Sequence, residues 1–408
     1  METIVDLANF IKSNNSHTLL EMQSMLKKRL GAGFKVNKLD HDSEYEGRLC
    51  ISFSSQEPGT SEVKKYANGL VFEYPSGKVL SIPNQRITSF PSKTQISDNF
   101  LFYDIINGST VTLYWYGGWR ISTTNGIDMG GVSWIGNKTY GCLLYEIAEK
   151  CGIKNIYNDS RLDRNCSYTC ILYAREYHLI SQLPDKLYFI SAHNCASVNN
   201  GNTVVNLPIP AGLPMQIPRE FKMRKGGMNK TEYVNMQIRS STKMFLRNGS
   251  LNLGYIIRSG NNGDCYMLES DLMRVIKRMT HEMPRDRDMR VNADNRLLYI
   301  ALRAFLNPLY KDLYLKLNPS AGELYIKFAS FVNSLLSKIL LILMQNSLPK
   351  IIYDETPLSM DMIALEISHK MTECGASSNK SIDIIKDSLL SPDKLPIYFK
   401  YLSAHENN

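Results

Sequence analysis

The spacing of apolar residues changes near residue 285, and this change sets the fold class. Between about residues 47 and 280, apolar and polar residues mostly alternate, as in Thr110 to Tyr116, and turn sequences such as Asn107-Gly108 and Gly117-Gly118 separate the segments. Alternation of this kind is typical of half-buried strands. Beyond residue 285, apolar residues recur at helical spacing. The chain is therefore predicted to be an α+β protein with an all-helical C-terminal domain.

The same periodicity predicts three regions. Residues 1–46 are an N-terminal helical segment, which the polar cluster Asn14-Asn15-Ser16 divides into two helices. Residues 47–285 are a sheet domain that one helix interrupts, from Tyr140 to Lys150. Residues 286–408 are a helical C-terminal domain. Its long periodic segments are Arg296 to Phe305, Gly322 to Leu343 and Met360 to Cys374.

Composition is consistent with a folded chain and narrows its function only slightly. The 408 residues are 43% hydrophobic, enough to bury one large core or two smaller ones. Lys and Arg number 47 against 39 Asp and Glu, a formal net charge of +8 that suits a polyanionic partner. The cysteines form no Cys-x-x-Cys pair and no tight cluster with histidine, so buried free thiols and no metal site are predicted.

The N-terminus and the most apolar stretch bear on location. The segment Met1 to Asp6 is acidic where a secretory signal would be basic, which favours the cytoplasm. Residues 328–344 approach membrane-spanning length, but Lys338 lies among them. This charge favours a buried helix and no membrane partner.

One segment of the sheet domain has the layout of a nucleotide-binding motif. Asp104-Ile105-Ile106-Asn107-Gly108-Ser109 precedes an alternating strand, and related pieces come before and after it. The pieces are Asn68-Gly69-Leu70-Val71-Phe72-Glu73, Pro83-Asn84-Gln85-Arg86 and Thr123-Thr124-Asn125-Gly126. In this order they resemble the motifs of the phage-type RNA ligase 1 family of covalent nucleotidyltransferases, across roughly residues 65 to 280. Without that resemblance, residues 104–123 are an ordinary β-hairpin with Ile105 in the core.

The resemblance implies a nucleotidyltransferase core of ATP-grasp-like antiparallel sheets, followed by a helical domain that helps to select RNA. It also places the family's active-site residues on this chain. The nucleophilic lysine falls on Ile105, and the glutamate of the fourth motif falls on Leu253. The candidate nucleotide-pocket residues are Arg86, Asn107, Gly108, Ser109, Gly254 and Tyr255.

The positions that differ from the family are the ones its chemistry needs. The family lysine attacks the α-phosphate of ATP and holds AMP as a phosphoramidate, whereas Ile105 has no lone pair. The family's upstream arginine falls on Asn68, its lysine pair falls within Cys265 to Ser270, and its third motif, matched by Tyr168 to Ile180, carries no carboxylate in the strand core. Such cations and carboxylates stabilise the transferring phosphate. The resemblance therefore implies a catalytically inactive pseudoenzyme that needs no cofactor, or ATP and Mg²⁺ if activity is retained.

Two basic stretches are candidates for RNA binding. The favoured one surrounds Gly226-Gly227 and has only Glu220 as a nearby acid; its cations are Arg219, Lys222, Arg224, Lys225 and Lys230. The other runs from Arg274 to Arg290 and is interleaved with acids. Bases of single-stranded RNA could also stack on aromatic residues of the flanking strands, which are Tyr114, Trp115, Tyr116 and Trp119.

Three hypotheses follow. The first is an inactive RNA ligase-like protein that binds RNA or a nucleotide, or scaffolds a protein partner. The second is an active ATP-dependent RNA ligase with a relocated lysine, such as Lys64, Lys65 or Lys78. The third is a structural or protein-interaction subunit whose pocket is filled by side chains such as Ile105 and Leu253. Large DNA viruses and phages commonly carry ligases of this type, so the resemblance also implies a viral source and the host-cell cytoplasm.

Overall fold

The structure is a computed structural model that describes most of the chain. The described residues are 2–40, 44–54, 61–91, 96, 99–133, 138–175, 180, 183–221, 229–259, 264–281, 300–301, 303–304, 307–319, 322–344, 360–373, 384–385 and 388–389. The chain divides into two compact units, one of residues 1–178 and 183–273 and one of residues 179–182 and 274–408. The predicted boundaries at residues 46 and 285 stay predictions.

Thirteen strands are described, all in the first unit. They are β1 (Phe34–Asp40), β2 (Gly47–Phe53), β3 (Asn68–Tyr74), β4 (Val79–Ser81), β5 (Ile87–Ser89), β6 (Phe100–Asp104), β7 (Ser109–Trp115), β8 (Trp119–Ser122), β9 (Cys166–Tyr173), β10 (Lys186–Asn194), β11 (Asn206–Leu207), β12 (Gly254–Ser259) and β13 (Cys265–Glu269). They form a first sheet of order β1-β2-β3-β4, a central sheet of order β11-β10-β9-β7-β8 and a third sheet of order β5-β13-β12-β6. All pairs are antiparallel except β5 and β13.

Ten α-helices are described. They are α1 (Ile4–Ser13), α2 (Leu19–Leu30), α3 (Glu62–Tyr66), α4 (Tyr140–Lys150), α5 (Cys195–Asn199), α6 (Lys230–Asn248), α7 (Asp271–His281), α8 (Pro308–Leu317), α9 (Gly322–Met344) and α10 (Met360–Glu373). Thr3 and Thr18 begin α1 and α2 with capping boxes. In each box the threonine hydroxyl accepts a hydrogen bond from the amide of the third helical residue, and the carboxylate of that residue, Asp6 or Glu21, accepts one from the threonine amide. These caps explain why two short helices form at the predicted positions.

Each sheet buries a different layer. Apolar residues of α1 and α2, such as Leu7 and Met22, pack on Leu49 and Phe72 of the first sheet. The outer face of the central sheet packs on α4, and α6 covers one face of the third sheet. A small cluster of Cys50, Val71, Leu80 and Tyr114 joins the first sheet to the inner face of the central sheet.

The second unit is helical where it is described. Helices α9 and α10 contact each other, and α9 buries Phe328, Phe331 and Leu335 on one face. Among the described residues, Tyr325–Ile342 of α9 is the one stretch long and apolar enough to cross a membrane, and 33% of it is buried. Its assignment as a buried helix stays a prediction.

Most predicted elements are confirmed, and one prediction is wrong. The two N-terminal helices, α4, α9, α10 and the mixed α/β class with antiparallel sheets are confirmed. The prediction of a single helix between residues 47 and 280 is wrong, because α3, α5, α6 and the start of α7 also lie there. Helix α6 buries only a thin apolar stripe in a polar sequence, including Val234, Ile238 and Phe245, so its periodicity is weak.

Three further differences concern element positions. Residues 34–40, within the predicted N-terminal helical segment, form strand β1. The predicted helix Arg296 to Phe305 lies largely outside the described residues. Helix α8 was not predicted.

Candidate functional site

A cavity of about 620 Å³ lies within the first unit, between the central sheet and the third sheet. Most of its wall is apolar and comes from both sheets, with Ile171 and Phe189 on one side and Ile256 and Met267 on the other. Its volume is typical of small-ligand pockets. The cavity is therefore the candidate site.

Strand alternation decides which residues of the third sheet face the cavity. In the antiparallel pair of β12 and β13, Ile256 lies opposite Met267, and Arg258 lies opposite Cys265. Opposite residues share one face of a sheet, and all four line the cavity. The alternate residue Ile257 packs against α6 on the other face. Arg258 thus enters the cavity because of its position in the strand.

The inner face of the central sheet is unusually polar. Thr112 and Thr169 are both buried there, with their hydroxyls 3.1 Å apart. Further along the same face, Thr110 and Ile171 line the cavity. The opposite face is apolar, since Val111 and Leu113 pack against α4. Buried hydroxyls on one face need partners, and the segment that follows β4 supplies them.

Three buried side chains, Ser167, Thr169 and His193, anchor that segment and are called the polar anchor below. The amide of Ile82 donates to the Ser167 hydroxyl at 3.0 Å, and this hydroxyl lies 2.8 Å from the Ile82 carbonyl oxygen, to which it donates. The amide of Asn84 donates to the Thr169 hydroxyl at 2.9 Å. The polar anchor therefore fixes the backbone that leads to residues 84–86, all of which line the cavity.

His193 is the ionisable member of the polar anchor, and 2% of its surface is exposed. Burial lowers the pKa of its imidazole to about 4, so the ring is neutral at pH 7. Its Nδ1 lies 3.1 Å from the Ile82 carbonyl oxygen, which can only accept, so the proton is on Nδ1. The ring of Tyr66 meets it edge-on at 5.4 Å.

Arg86 reaches the cavity on a fixed support. Its amide donates to the Lys65 carbonyl oxygen at 2.7 Å, and its Nη1 donates to the Lys64 carbonyl oxygen at 3.3 Å. Its Cζ lies 4.7 Å from the ring centroid of Phe53, which also lines the cavity. Partial burial lowers the pKa of the guanidinium. The side chain is thus a positioned cation in a partly desolvated wall.

Arg258 is the second cation of the wall and is half-buried. Among the residues that the structure describes, no carboxylate forms an ion pair with it. The one carboxylate of the described lining, Asp104, is 2.9 Å from Nε of Arg219 instead. The positive charge of Arg258 therefore acts on the cavity and on two neighbouring side chains. It helps to lower the pKa of His193, and it opposes the rise that burial causes in the pKa of Tyr103.

The position predicted for the nucleophile lies in the cavity wall. Ile105 follows β6, is 9% exposed and donates its amide to the Gly254 carbonyl oxygen at 3.2 Å. Leu253, at the predicted glutamate position, is buried outside the lining, with its carbonyl oxygen bound to the Ser270 amide. No lysine occurs among the described residues of the wall.

Of the predicted nucleotide-pocket residues, Arg86 lines the cavity, and the other five lie outside its described lining. Tyr255 faces α6 and stacks edge-on against Phe102. Gly254 has φ +114°, and a Cβ there would lie 2.2 Å from the Leu268 carbonyl oxygen. A Cβ on Gly108 would lie 2.5 Å from the Leu172 carbonyl oxygen, so this turn packs closely against β9. Half-buried Asn107 and Ser109 flank Gly108 in the same turn.

The three lysines considered as relocated nucleophiles lie outside the described wall. Lys65 forms an ion pair with Asp264 at 3.0 Å, and Nζ of Lys64 lies 5.2 Å from the Phe53 ring centroid. Lys78 is exposed in the turn between β3 and β4.

The candidate RNA-binding residues are only partly described. Arg219 is 78% exposed and pairs with Asp104. Nζ of Lys230 donates to the Phe100 carbonyl oxygen at 3.0 Å, so both described cations lie beside β6. Lys222, Arg224 and Lys225 lie outside the described residues.

The aromatic residues of the β7–β8 hairpin separate onto two faces, as the alternation predicts. Tyr114 is fully buried. Trp115 and Trp119 pair edge-on at 5.6 Å on the other face, where Cζ of Arg164 lies 4.3 Å from the Trp115 ring centroid. Of the four candidate stacking residues, Trp115, Tyr116 and Trp119 are therefore half-buried, and Tyr114 is inaccessible.

A buried ion pair fastens this hairpin to the first sheet. Arg48 is 3% exposed and binds the Asp128 carboxylate through Nη1 at 2.7 Å and Nη2 at 2.5 Å. Its Nη1 also donates to the Tyr114 hydroxyl at 2.9 Å. Asp128 adopts a left-handed backbone with φ 51° and borders an open cleft of about 750 Å³ beside α4. This ion pair stabilises the packing of the hairpin on the first sheet and lies outside the cavity.

Sequence reasoning missed the second cation and the polar anchor. Strand alternation from Ile256 could have indicated Arg258, whereas nothing local marks Ser167, Thr169 or His193 as partners of residues 82–84.

In the described part of the chain, no group of three or more His, Cys, Asp or Glu side chains is placed to hold a metal ion. No protein-family model matches the chain, and no curated protein matches it.

Proposed function

We propose that the protein is a degenerate relative of the RNA ligase 1-type nucleotidyltransferases that binds a nucleotide without bonding to it covalently. One observation carries this proposal: positions matched to four separate motifs line one cavity. They are Asn68 for the upstream arginine, Arg86 within the matched segment Pro83-Asn84-Gln85-Arg86, Ile105 for the nucleophile, and Cys265 and Met267 within the segment matched to the lysine pair. A chance resemblance has no reason to bring such distant residues together.

The chemistry of the wall supports binding over reaction. At the nucleophile position Ile105 offers only a hydrocarbon surface, and the described cations of the wall are guanidiniums, which stay protonated and do not attack phosphate. Guanidiniums bind phosphate oxygens well, and apolar side chains suit a base. The wall therefore favours a pseudoenzyme over a ligase with a relocated lysine.

An open volume of about 620 Å³ also favours ligand binding over a filled pocket in a structural subunit. RNA remains the macromolecular partner that the resemblance implies, with Arg219 and Lys230 as described candidates. A protein partner and residence in the cytoplasm belong to the same proposal.

Two measurements on the purified chain test it. Incubation with α-labelled ATP and Mg²⁺, followed by denaturing electrophoresis, is expected to give no protein-bound AMP. Calorimetric titration with AMP and ATP is expected to give binding by at least one of them. Ile105→Trp should abolish this binding by filling the cavity. Met236→Trp, at an exposed site on α6, is the matched control and should bind normally.

The outcomes separate the hypotheses. A labelled band that Lys64→Ala, Lys65→Ala or Lys78→Ala removes would establish an active ligase and refute the pseudoenzyme. Absence of binding by both nucleotides to the folded wild-type chain would refute nucleotide recognition.

A further inference from the structure

We infer that the cavity selects a nucleoside monophosphate over a nucleoside triphosphate, with the phosphate held between Arg86 and Arg258. This inference rests on the proposed function and adds the ligand class and its orientation.

The register of the third sheet places the two guanidiniums at one end of the cavity. Arg258 of β12 lies opposite Cys265 of β13, and Cys265 lies beside Ile87 of β5. Arg86 immediately precedes Ile87. Arg258, Cys265 and Ile87 therefore form a row across three strands, with Arg86 next to its end, and all four line the cavity. This row is the cationic end.

Away from that row, the residues of β12 and β13 that line the cavity are apolar, and the Asp104 carboxylate lies near the Ile105 end. Two residues further along β12, Ile256 lies opposite Met267, and two more residues on, Gly254 accepts the hydrogen bond from Ile105. At about 3.3 Å per residue, the Ile105 row is roughly 13 Å from the cationic end. Ile171 of the central sheet adds to the apolar wall. The cavity is therefore polarised along β12.

A nucleoside monophosphate matches this polarity. A phosphate monoester carries a charge of about −1.5 to −2 at neutral pH, which two guanidiniums can neutralise with bidentate hydrogen bonds. The base then lies toward Ile256 and Ile105. Further phosphates would have to lie against Ile256 and Met267, where they lose hydration without gaining a cation, or would push the base out of the apolar end.

The test is calorimetric titration of the full chain with adenosine, AMP, ADP and ATP, without Mg²⁺ and with it. We expect AMP to bind at least tenfold more tightly than ATP and at least tenfold more tightly than adenosine. Arg258→Gln should weaken AMP binding tenfold or more and leave adenosine binding unchanged, because only the phosphate contact is lost. Arg239→Gln, at an exposed site on α6, should match the wild type.

ATP binding as tight as AMP binding would overturn the inference and leave the proposed function standing. Wild-type affinity for AMP in Arg258→Gln would overturn it as well. Failure of all four ligands to bind would instead refute the proposed function. Arg258→Lys keeps the charge and should retain more AMP affinity than Arg258→Gln. This comparison distinguishes loss of the phosphate contact from a folding defect in Arg258→Gln. An equal loss of affinity in both folded variants would count against the phosphate contact.

Discussion

The Nδ1 of His193 lies 3.1 Å from the carbonyl oxygen of Ile82, and this contact joins the buried end of β10 to the segment that carries Arg86 into the cavity. The proton on Nδ1 is needed for the bond, and the ring is neutral because burial disfavours its charged form. Protonation of the second nitrogen would place a positive charge beside the Tyr66 ring and near the positive charge of Arg258, which disfavours it.

We predict that His193 makes stability fall in mild acid. The pKa of His193 is about 4 in the folded chain and 6.5 in the unfolded chain, so its stabilisation is present above pH 6.5 and is lost as the pH falls towards 4. Between pH 7 and pH 5 the loss is about 2 kcal/mol. Urea unfolding at both pH values measures it. His193→Gln should lose about that much less than the wild type; an equal loss in both chains would contradict the prediction.

We predict that Thr169→Val weakens both the fold and the cavity. The substitution leaves the amide of half-buried Asn84 without its acceptor and removes the contact with the Thr112 hydroxyl, at a cost of about 1–3 kcal/mol. Because residues 84–86 line the cavity, AMP affinity should also fall. Thr242→Val is the control, since the buried Thr242 hydroxyl has no hydrogen-bond partner among the described residues. Urea unfolding and calorimetry should show little change in that control.

We predict that Asp128→Ala destabilises the chain by about 3–5 kcal/mol, because it leaves Arg48 buried without its carboxylate. Asp128→Asn should cost less, since an amide oxygen still accepts a hydrogen bond and asparagine tolerates a left-handed backbone. Thermal or urea unfolding ranks the two variants. The opposite order would contradict the prediction, because it would mean that neither the amide hydrogen bond nor the backbone preference of asparagine stabilises this position.

We predict that Gly254→Ala is far more destabilising than Gly117→Ala. Both glycines have positive φ, which costs alanine about 1–2 kcal/mol at each site. A Cβ at Gly254 would also lie 2.2 Å from the Leu268 carbonyl oxygen, whereas nothing lies within 4 Å of a Cβ at Gly117. Unfolding measurements should separate the variants, and similar stabilities would mean that β12 and β13 can move apart at this point.

Local patterns predicted the fold where one signal dominated. Apolar spacing and the polar cluster Asn14-Asn15-Ser16 were sufficient for α1 and α2, and long periodic stretches were sufficient for α9 and α10. Local patterns failed for α6, because its buried stripe is thin and its other residues are polar. Packing against Tyr255 and Phe102 stabilises this helix, and that packing is not visible in its sequence. A strong local signal therefore allows a helix to be predicted from the sequence, whereas a weak one does not.

The sequence by itself determined the order of the motif-like segments, the isoleucine at the nucleophile position and the presence of Arg86. Only the tertiary structure decided that Arg86 and Arg258, which lie far apart in the chain, share one end of a cavity, and that Ser167, Thr169 and His193 fix the segment that leads to Arg86. The physical reason is register: the partner of a strand residue depends on how strands pair across the sheet, and pairing between distant segments leaves no local trace in either of them.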